Sequence, residues 1–365
     1  MSIKKNKENK HSYFLKLALL QAKKNLGNTK ENPSVGSIIV KNDIVLGVGS
    51  TGINGRPHAE HQAFKSTKGN IKNSDMYITL EPCSHYGKTS PCTNAIIKSK
   101  IKKVVYSIED YDSRTFNKSK KILKSKKINT KSGLLNKEVK NFYKNYNYTK
   151  KNKFPYVIGK LACSSNFFIL NNNSVITNEH SRKISHLLRS QNQGILTSYK
   201  TVNSDNPKLN CRLNGLEKFS PKILVLDRDL KINLKSFIVK NSKKNKTIIF
   251  HNSLNSFKIN NLKKNGIKLI NLKVEENNLF DLKKVLKKIY EIGIYTLLVE
   301  CGRILTYKMI SKKLFNEFYL FKSNKSLFNK DKINVLDIKR KLNNKFRSRN
   351  FVNTYLDKDT LMHYY

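Results

Sequence analysis

The sequence has few cysteines and no long apolar run. Its five cysteines are odd in number and widely spaced along 365 residues, which argues against a disulfide framework and favours a reducing compartment. No stretch approaches the ~20 apolar residues of a membrane-spanning helix, and the charged start MSIKKNKENK is unlike a secretory leader. We therefore expect a cytoplasmic protein, long enough for two domains, with no membrane partner.

Acidic side chains are also scarce. Asp and Glu number 25 against 72 Lys and Arg, so the formal net charge is +47. A charge of this size attracts phosphorylated small molecules and, less selectively, nucleic acids. Because the basic residues are spread along the chain and do not form one block, we interpret the charge as a general property of the surface. We expect any nucleic-acid binding to be non-specific.

Two glycine motifs for phosphate binding are missing. No G-x-G-x-x-G follows a strand in residues 156–323, so an ordinary Rossmann fingerprint is absent there, and no G-x-x-x-x-G-K occurs in the chain. Apolar runs and amphipathic stretches nevertheless alternate, which indicates α/β structure. We predict helices at 12–26, 58–66, from Pro91, 179–191 and 280–292, and strands at 35–40, 44–49, 76–80, 103–108, 156–162, 194–198, 222–227, 247–250, 267–272 and 296–300.

The polar segment 145–155 separates two such α/β regions. We place the domain boundary there, which gives domains of residues 1–150 and 151–365. Beyond about residue 323 the chain is rich in Lys and Asn, and the pattern predicts no further elements. The residues leave open whether the chain forms a homo-oligomer.

Residues of the first domain form a metal-binding pattern. The sequence PHAEH places His58 two residues before Glu60, and EPCSHYGKTSPC supplies Cys83 and Cys92. His-x-Glu followed by Pro-Cys and a second Cys is the pattern of zinc-dependent nucleobase deaminases. In that chemistry three protein ligands hold Zn²⁺, which activates water, and a carboxylate that is not a ligand moves the proton. We predict His58, Cys83 and Cys92 as zinc ligands and Glu60 as the catalytic proton carrier.

The spacing of the cysteines separates the alternatives. Eight residues, 84–91, lie between them, whereas deaminases of cytidine or tRNA adenosine usually have two. The inserted loop contains His85 and Lys88, both suited to a phosphate. A tRNA or nucleic-acid deaminase therefore remains an alternative, favoured by charge and opposed by spacing. A basic nucleic-acid-binding protein with a structural zinc is a further alternative, but it would require a fourth ligand.

Longer motifs carry a specific resemblance. NPSVGSIIV, PHAEHQAF and LEPCSHYGKTSPC, followed by ILTSYKTVNSDNPKLNCR and LVECG, resemble the bifunctional deaminase–reductase family of riboflavin biosynthesis. The resemblance covers residues 11–305 in order. It implies a cytidine-deaminase-like α-β-α layered domain followed by a dihydrofolate-reductase-like α/β domain that uses NADPH. The implied reactions are deamination of 2,5-diamino-6-(5-phosphoribosylamino)pyrimidin-4-one and then reduction of its ribosyl group to a ribityl chain.

The resemblance also implies binding residues. For the substrates these are Asn32, His85, Lys88, Asn173, Arg189, Leu209, Arg212 and Glu300. For the cofactor they are Cys163, Val175, Thr201, Asp205 and Gly302. An arginine fork suits a phosphate group, which supports Arg189 and Arg212 independently of the resemblance.

The second domain departs from the family pattern at several points. Residues 164–167 read Ser-Ser-Asn-Phe where the family has Ser-Leu-Asp-Gly, Val175 replaces a tryptophan, and Arg303 replaces a proline after Gly302. Arg303 is expected to pair with a cofactor phosphate. These departures leave a second possibility open, a deaminase whose reductase domain is degenerate.

Overall fold

The computed structural model describes residues 2–170, 175–328 and 332–365. The chain divides into two compact units, residues 1–153 (unit 1) and 154–365 (unit 2). Within these ranges, no helix is both long enough and apolar enough to cross a membrane.

A mixed sheet forms the centre of unit 1. Its strands in the described residues are β1 (Gly36–Lys41), β2 (Ile44–Ser50), β3 (Asp75–Leu80), β4 (Lys103–Ile108) and β5 (Asn129–Lys131). Their spatial order is β2-β1-β3-β4-β5, with β1 antiparallel to β2 and β3, and β3, β4 and β5 parallel. The two-residue turn Asn42-Asp43 has positive φ at both positions, as hairpins with matching twist require.

Helices cover both faces of this sheet. They are α1 (Ser2–Lys23), α2 (Ala59–Lys65), α3 (Cys92–Lys98), α4 (Lys118–Ser125), α5 (Asn136–Phe142) and α6 (Lys144–Asn152). Ile38 and Val40 pack against α1, whereas Ile39 packs in the cluster that includes α2, α3 and α4, because successive strand residues point to opposite faces. At Gly36 a Cβ would lie 1.8 Å from the Ala18 carbonyl oxygen of α1, so only glycine permits this close approach. The α-β-α layering is as predicted.

Two helices differ from the sequence prediction. Helix α1 begins ten residues earlier than predicted, because its first turns are polar and give no apolar periodicity. The polar segment chosen as the domain boundary is mostly helical, since α6 continues to Asn152.

A larger sheet forms the centre of unit 2. In the described residues it contains β6 (Tyr156–Cys163), β8 (Gly194–Ser198), β9 (Lys222–Leu226), β10 (Ile248–His251), β11 (Lys268–Asn271), β12 (Thr296–Glu300), β13 (Glu317–Lys322), β15 (Arg349–Phe351) and β16 (Thr360–Tyr364), while β7 (Phe168–Leu170) pairs with β14 (Lys332–Asn334). The order is β11-β10-β9-β8-β12-β6-β13-β16-β15, and the first seven strands are parallel. Their carboxyl ends therefore meet at one edge, where α/β sheets bind ligands.

Helices of unit 2 pack on this sheet. They are α7 (Glu179–Ser190), α8 (Tyr199–Asp205), α9 (Phe237–Lys240), α10 (Ser242–Asn245), α11 (Ser256–Lys264), α12 (Leu282–Glu291), α13 (Arg303–Ser311) and α14 (Leu336–Lys345). The absence of predicted elements beyond residue 323 was wrong, because α14, β15 and β16 lie there. All three residues of β15 are exposed, so this strand lacks the apolar alternation by which sequence reveals a strand.

Asp359 ties the C-terminal segment to α7. Its buried carboxylate accepts hydrogen bonds from the Asn178 backbone N–H at 2.9 Å, the Ser181 hydroxyl at 2.7 Å and the Asn324 backbone N–H at 3.3 Å. One carboxylate thus holds the start of the helix that carries Arg189 and the segment after β13.

We predict that Asp359→Asn destabilises unit 2 by about 2 kcal/mol, because the amide loses the charge and turns donors toward donors. Asp357→Asn, two residues earlier at an exposed position, is the matched control and should change stability little. Hydrogen exchange of the α7 amides measures the effect. Equal protection in the two variants would contradict the role given to Asp359.

Candidate active sites

Three predicted metal ligands converge in unit 1. His58 precedes the first residue of α2, Cys92 is the first residue of α3, and Cys83 follows β3. The His58 Nδ1 atom lies 3.3 Å from the Cys92 Sγ and 3.6 Å from the Cys83 Sγ. The three ligand atoms all lie within 4.8 Å of one another. One imidazole nitrogen and two sulfurs, with room for a fourth ligand, are a donor set that fits Zn²⁺.

Local hydrogen bonds favour the thiolate at Cys83. The Cys92 side chain, ahead of His58 and the Cys92 backbone N–H, lowers the pKa of Cys83 to about 4. The backbone bond measures 3.2 Å from the Cys92 nitrogen to the Cys83 sulfur. The start of α3 therefore helps to hold the charged form that a metal requires.

Glu60 lies beside this cluster without being part of it. Its side chain is 3% exposed, and burial raises its pKa to about 7. Its carboxylate interacts with Cys92 and with the charge of His58. A buried carboxyl group next to the ligands, able to hold or release a proton near neutral pH, suits acid–base catalysis.

Glu81 supports the site and was not identified from the sequence. Its buried carboxylate accepts hydrogen bonds from the backbone N–H groups of Asp110, Asn117 and Ser119 at 3.3, 3.0 and 3.1 Å. It therefore anchors the loop after β4. That loop places Thr115, whose Oγ1 lies 3.0 Å from the Nδ1 of His85.

The predicted substrate residues of unit 1 lie on two loops. Asn32 donates a hydrogen bond to the Gly55 carbonyl at 3.0 Å. Lys88 is exposed, on the loop between the two cysteines. On that same loop Thr89 bonds Arg56, a second cation that the sequence analysis did not include. His85, Lys88 and Arg56 thus give the loop region a positive character.

A buried ion network occupies the reductase half. Arg189 grips Glu300 through two parallel bonds, Nε to Oε1 at 2.8 Å and Nη2 to Oε2 at 2.9 Å. The Lys160 Nζ lies 3.7 Å from Glu300 Oε2. Burial alone would raise the pKa of Glu300, but Arg189 and Lys160 outweigh it and hold the pKa at about 2. Burial lowers the pKa of Lys160. Lys160 pairs with Glu300 in the β6–β12 register and was missed in the sequence, where it resembles any surface lysine.

The predicted cofactor residues of strands β8 and β12 are adjacent. Ser198 caps α8 and lies 3.3 Å from the Thr201 hydroxyl. Gly302 caps α13, and a Cβ placed on it would lie 3.9 Å from that hydroxyl. Two helix N-termini therefore meet at the sheet edge, an arrangement that favours anionic groups. Asp205 lies at the end of α8, and burial raises its pKa.

Other predicted residues are placed differently from one another. Leu209 is buried with φ +50°, Val175 is 60% exposed, and the Cys163 side chain is fully buried in the core at the end of β6. Asn173 lies outside the described residues. The Arg212 guanidinium donates to the Asn210 side-chain oxygen at 3.0 Å.

Two departures from the family pattern have structural counterparts. Arg303 binds Asp337 of α14 at 2.6 Å, so its expected role as a partner for a cofactor phosphate is not supported by this geometry. Phe167 adopts φ +59°, a conformation that costs a residue with a side chain roughly 1–2 kcal/mol. Ammonium groups of Lys339 and Lys322 lie 4.5 and 5.1 Å from its ring centroid and offset part of that cost.

Family models match both halves of the chain. Residues 8–108 match the cytidine and deoxycytidylate deaminase zinc-binding region, and residues 169–327 match the RibD C-terminal domain. Curated relatives include the riboflavin biosynthesis protein RibD of Aquifex aeolicus, 32% identical over 84% of this chain and 85% of that protein. RibD of Buchnera aphidicola is 32% identical over 88% of each chain.

Solved structures agree over nearly the whole length. RibD of Acinetobacter baumannii matches with a TM-score of 0.81 and 25% identity, covering 98% of this chain and 99% of that one. A Thermotoga maritima diaminohydroxyphosphoribosylaminopyrimidine deaminase/5-amino-6-(5-phosphoribosylamino)uracil reductase matches with a TM-score of 0.81 and 26% identity, covering 98% of each. The two domain matches and the extent of these similarities show that the chain belongs to the RibD family of riboflavin biosynthesis proteins, which join a deaminase domain to a reductase domain.

Proposed function

We propose that each unit performs one of two successive reactions on a phosphorylated pyrimidine. Unit 1 removes an amino group from 2,5-diamino-6-(5-phosphoribosylamino)pyrimidin-4-one by hydrolysis, and unit 2 reduces the ribosyl group of the product to a ribityl chain. The observation that carries the proposal is the placement of buried Glu60 beside the convergent ligand atoms of His58, Cys83 and Cys92.

In the deaminase half, the three ligands hold Zn²⁺, which supplies Lewis-acid activation of water. Glu60 accepts the proton of that water as its oxygen bonds to the ring carbon. The same carboxyl group then gives the proton to the ring nitrogen, and a further transfer lets the amine leave as ammonia. A group with a pKa near neutrality can work in both directions.

The loop between the cysteines and the neighbouring cations select the substrate. His85 and Lys88 are proposed to bind the phosphoribosyl phosphate, and Asn32, held by Gly55, the pyrimidine. This assignment favours a small phosphate ester over a polynucleotide, because the eight-residue insertion fills space beside the metal site.

In the reductase half, NADPH supplies the hydride. Its phosphates are assigned to the paired starts of α8 and α13, near Thr201 and Gly302, with Asp205 nearby. The described residues give no role at the cofactor to the buried Cys163 side chain, whereas Val175 is exposed and free to contact it. Arg189, Arg212 and Leu209 are assigned to the phosphate side of the substrate.

Glu300 and Lys160 are proposed to act at the ribose. Glu300 stays ionised at neutral pH because its pKa is held at about 2, so it stabilises positive charge and orients hydroxyls. Lys160 donates a proton to the ring oxygen as the bond from C1′ to that oxygen breaks. The exocyclic nitrogen shares its electron pair with C1′, and the hydride then adds to C1′. The intact Glu300–Arg189 pair supports an active reductase over a degenerate one.

Location and other partners follow from general properties. All five cysteines are unpaired, which supports a reducing cytoplasm. The basic surface is proposed to bind nucleic acids only through their phosphates.

One prediction separates metal binding from proton transfer. The wild-type protein should hold about one zinc per chain, and His58→Ala should lose most of it. Glu60→Gln should keep the zinc while deamination falls about 10²–10⁴-fold, because the amide cannot carry the proton. His61→Gln, on the same helix but outside the cluster, is the control and should keep both. Metal analysis and product mass provide the readouts. Near wild-type turnover in Glu60→Gln would remove Glu60 from the mechanism.

A second prediction concerns the reductase. Glu300→Gln should lower NADPH oxidation with the deaminated intermediate at least about 10²-fold, since an amide leaves Arg189 and Lys160 without a buried counter-charge. Deamination by the same protein should be unchanged and serves as the internal control. No NADPH consumption by the wild type at saturating cofactor would refute the reductase assignment.

A third prediction concerns the charge. Unrelated duplexes should bind with equal affinity at low salt, and the affinity should fall by about 10³-fold or more between 50 and 200 mM salt if six phosphates are neutralised. Fluorescence anisotropy over that range tests this. Tight binding to one sequence at physiological salt would favour the nucleic-acid deaminase.

A further inference from the structure

Three basic side chains converge on Asn210, a residue in the loop after α8. The Asn210 backbone carbonyl accepts hydrogen bonds from Arg189 Nη1 at 3.2 Å and, on the opposite side of the same group, lies 3.1 Å from His186 Nδ1. Its side-chain oxygen accepts from Arg212 Nη1 at 3.0 Å. A single residue thus fixes the positions of two arginines and a histidine from two separate parts of the chain.

The resulting cluster carries an excess of positive charge. Arg182, His186 and Arg189 follow one another at i, i+4 and i+7 on one face of α7. Arg182 is close enough to lower the pKa of Arg212 together with Arg189, after burial. The acidic side chain that faces the cluster, Glu300, is already paired with Arg189 and Lys160. Such a group of cations calls for an anion to reduce their mutual repulsion.

We propose that Asn210 is the positioning residue of the phosphate subsite in unit 2 and that His186 is an additional hydrogen-bond donor to the phosphate. The inference rests on the proposed reductase function, which placed Arg189 and Arg212 at the substrate phosphate and gave no role to these two residues. The ligand class is a phosphate monoester carried on a pentose.

The tautomer of His186 determines what it can donate. Because its Nδ1 faces a carbonyl oxygen, which can only accept, the proton of the neutral ring lies on Nδ1. In the described residues Nε2 has no hydrogen-bond partner. Nε2 can therefore donate to a phosphate oxygen only after the ring gains a second proton. Binding of the phosphate dianion should draw in that proton.

The electrostatic surroundings give the sign of the effect. Burial, then Arg189 and Arg212, lower the pKa of His186 to about 4, so the free enzyme holds it neutral at pH 7. A bound dianion opposes the field of the arginines and raises that pKa in the complex. A group whose pKa is higher in the complex strengthens binding as pH falls. The charged residues around it are Arg182 and Arg189 on α7, Lys208 and Arg212 on the following loop, Glu300 on β12, and the exposed Glu217 and Lys218 of the turn against α7.

The test is calorimetric titration of the full chain with ribose 5-phosphate, with ribose as the uncharged control. Titrations in two buffers of different ionisation enthalpy give the protons taken up on binding. His186→Asn is the matched variant, because the Asn amide can keep the bond to the Asn210 carbonyl but cannot titrate. Relative to it, the wild type should take up an additional fraction of a proton at pH 7. From pH 8 to 6.5 its affinity should rise about three- to fivefold more. Ionisation of the phosphate itself, near pH 6, is common to both and cancels.

A double-mutant cycle tests Asn210. Asn210→Ala should weaken ribose 5-phosphate binding severalfold in the wild type but not in an Arg212→Ala background, because its side chain acts through Arg212. Equal losses in both backgrounds would overturn the positioning role. Equal proton uptake by wild type and His186→Asn, or no uptake by the wild type if that variant fails to fold, would overturn the role of His186 while leaving the proposed function standing. If the wild type bound ribose 5-phosphate no better than ribose, the phosphate assignment of the proposed function would fail first, and this inference with it.

Discussion

A charged side chain removed from water must find a compensating partner, and both proposed sites depend on how this chain meets that requirement. Glu81 receives three backbone N–H groups and thereby anchors the loop that reaches His85. Glu300 is compensated by Arg189 and Lys160 and stays ionised. Glu60 is compensated least, and its pKa rises to near neutrality. The different degree of compensation gives three buried carboxylates three roles: support, charge stabilisation and proton transfer.

The shortage of acidic residues makes these carboxylates informative. With 25 Asp and Glu against 72 Lys and Arg, most basic side chains have no acidic partner and lie in solvent. The chain uses other acceptors instead, such as the carbonyl and amide oxygens of Asn210, and aromatic rings, as at Phe167 between two lysines. Arg303 takes one of the few carboxylates, Asp337. This pairing occupies the cation that the sequence suggested for the cofactor, so any compensation for the lost family residues must come from elsewhere.

Local patterns were enough to predict the layered architecture and the convergence of the metal ligands, because His-x-Glu and Pro-Cys occur at the ends of strands and the starts of helices. Long-range partners could not be predicted in the same way. Lys160 meets Glu300 only through the pairing of β6 with β12, and Asp359 reaches α7 across 178 positions of sequence. The C-terminal strands were missed because an edge strand with exposed side chains has no apolar period. Sequence therefore identifies a reactive group more readily than the residue that supports it.

The two proposed sites have opposite electrostatic deficits, and their ligands correct them. In unit 1, two cysteine sulfurs and a buried carboxyl group lie together, a set that a divalent cation stabilises. In unit 2, arginines and a histidine gather around Asn210 with one facing carboxylate already paired, a set that a phosphate dianion stabilises. Each site is therefore less favourable empty than filled, and this difference contributes to binding. The same reasoning explains why a uniformly basic surface need not select nucleic acid: exposed lysines are already satisfied by water, and only the buried, crowded cations gain substantially from an anion.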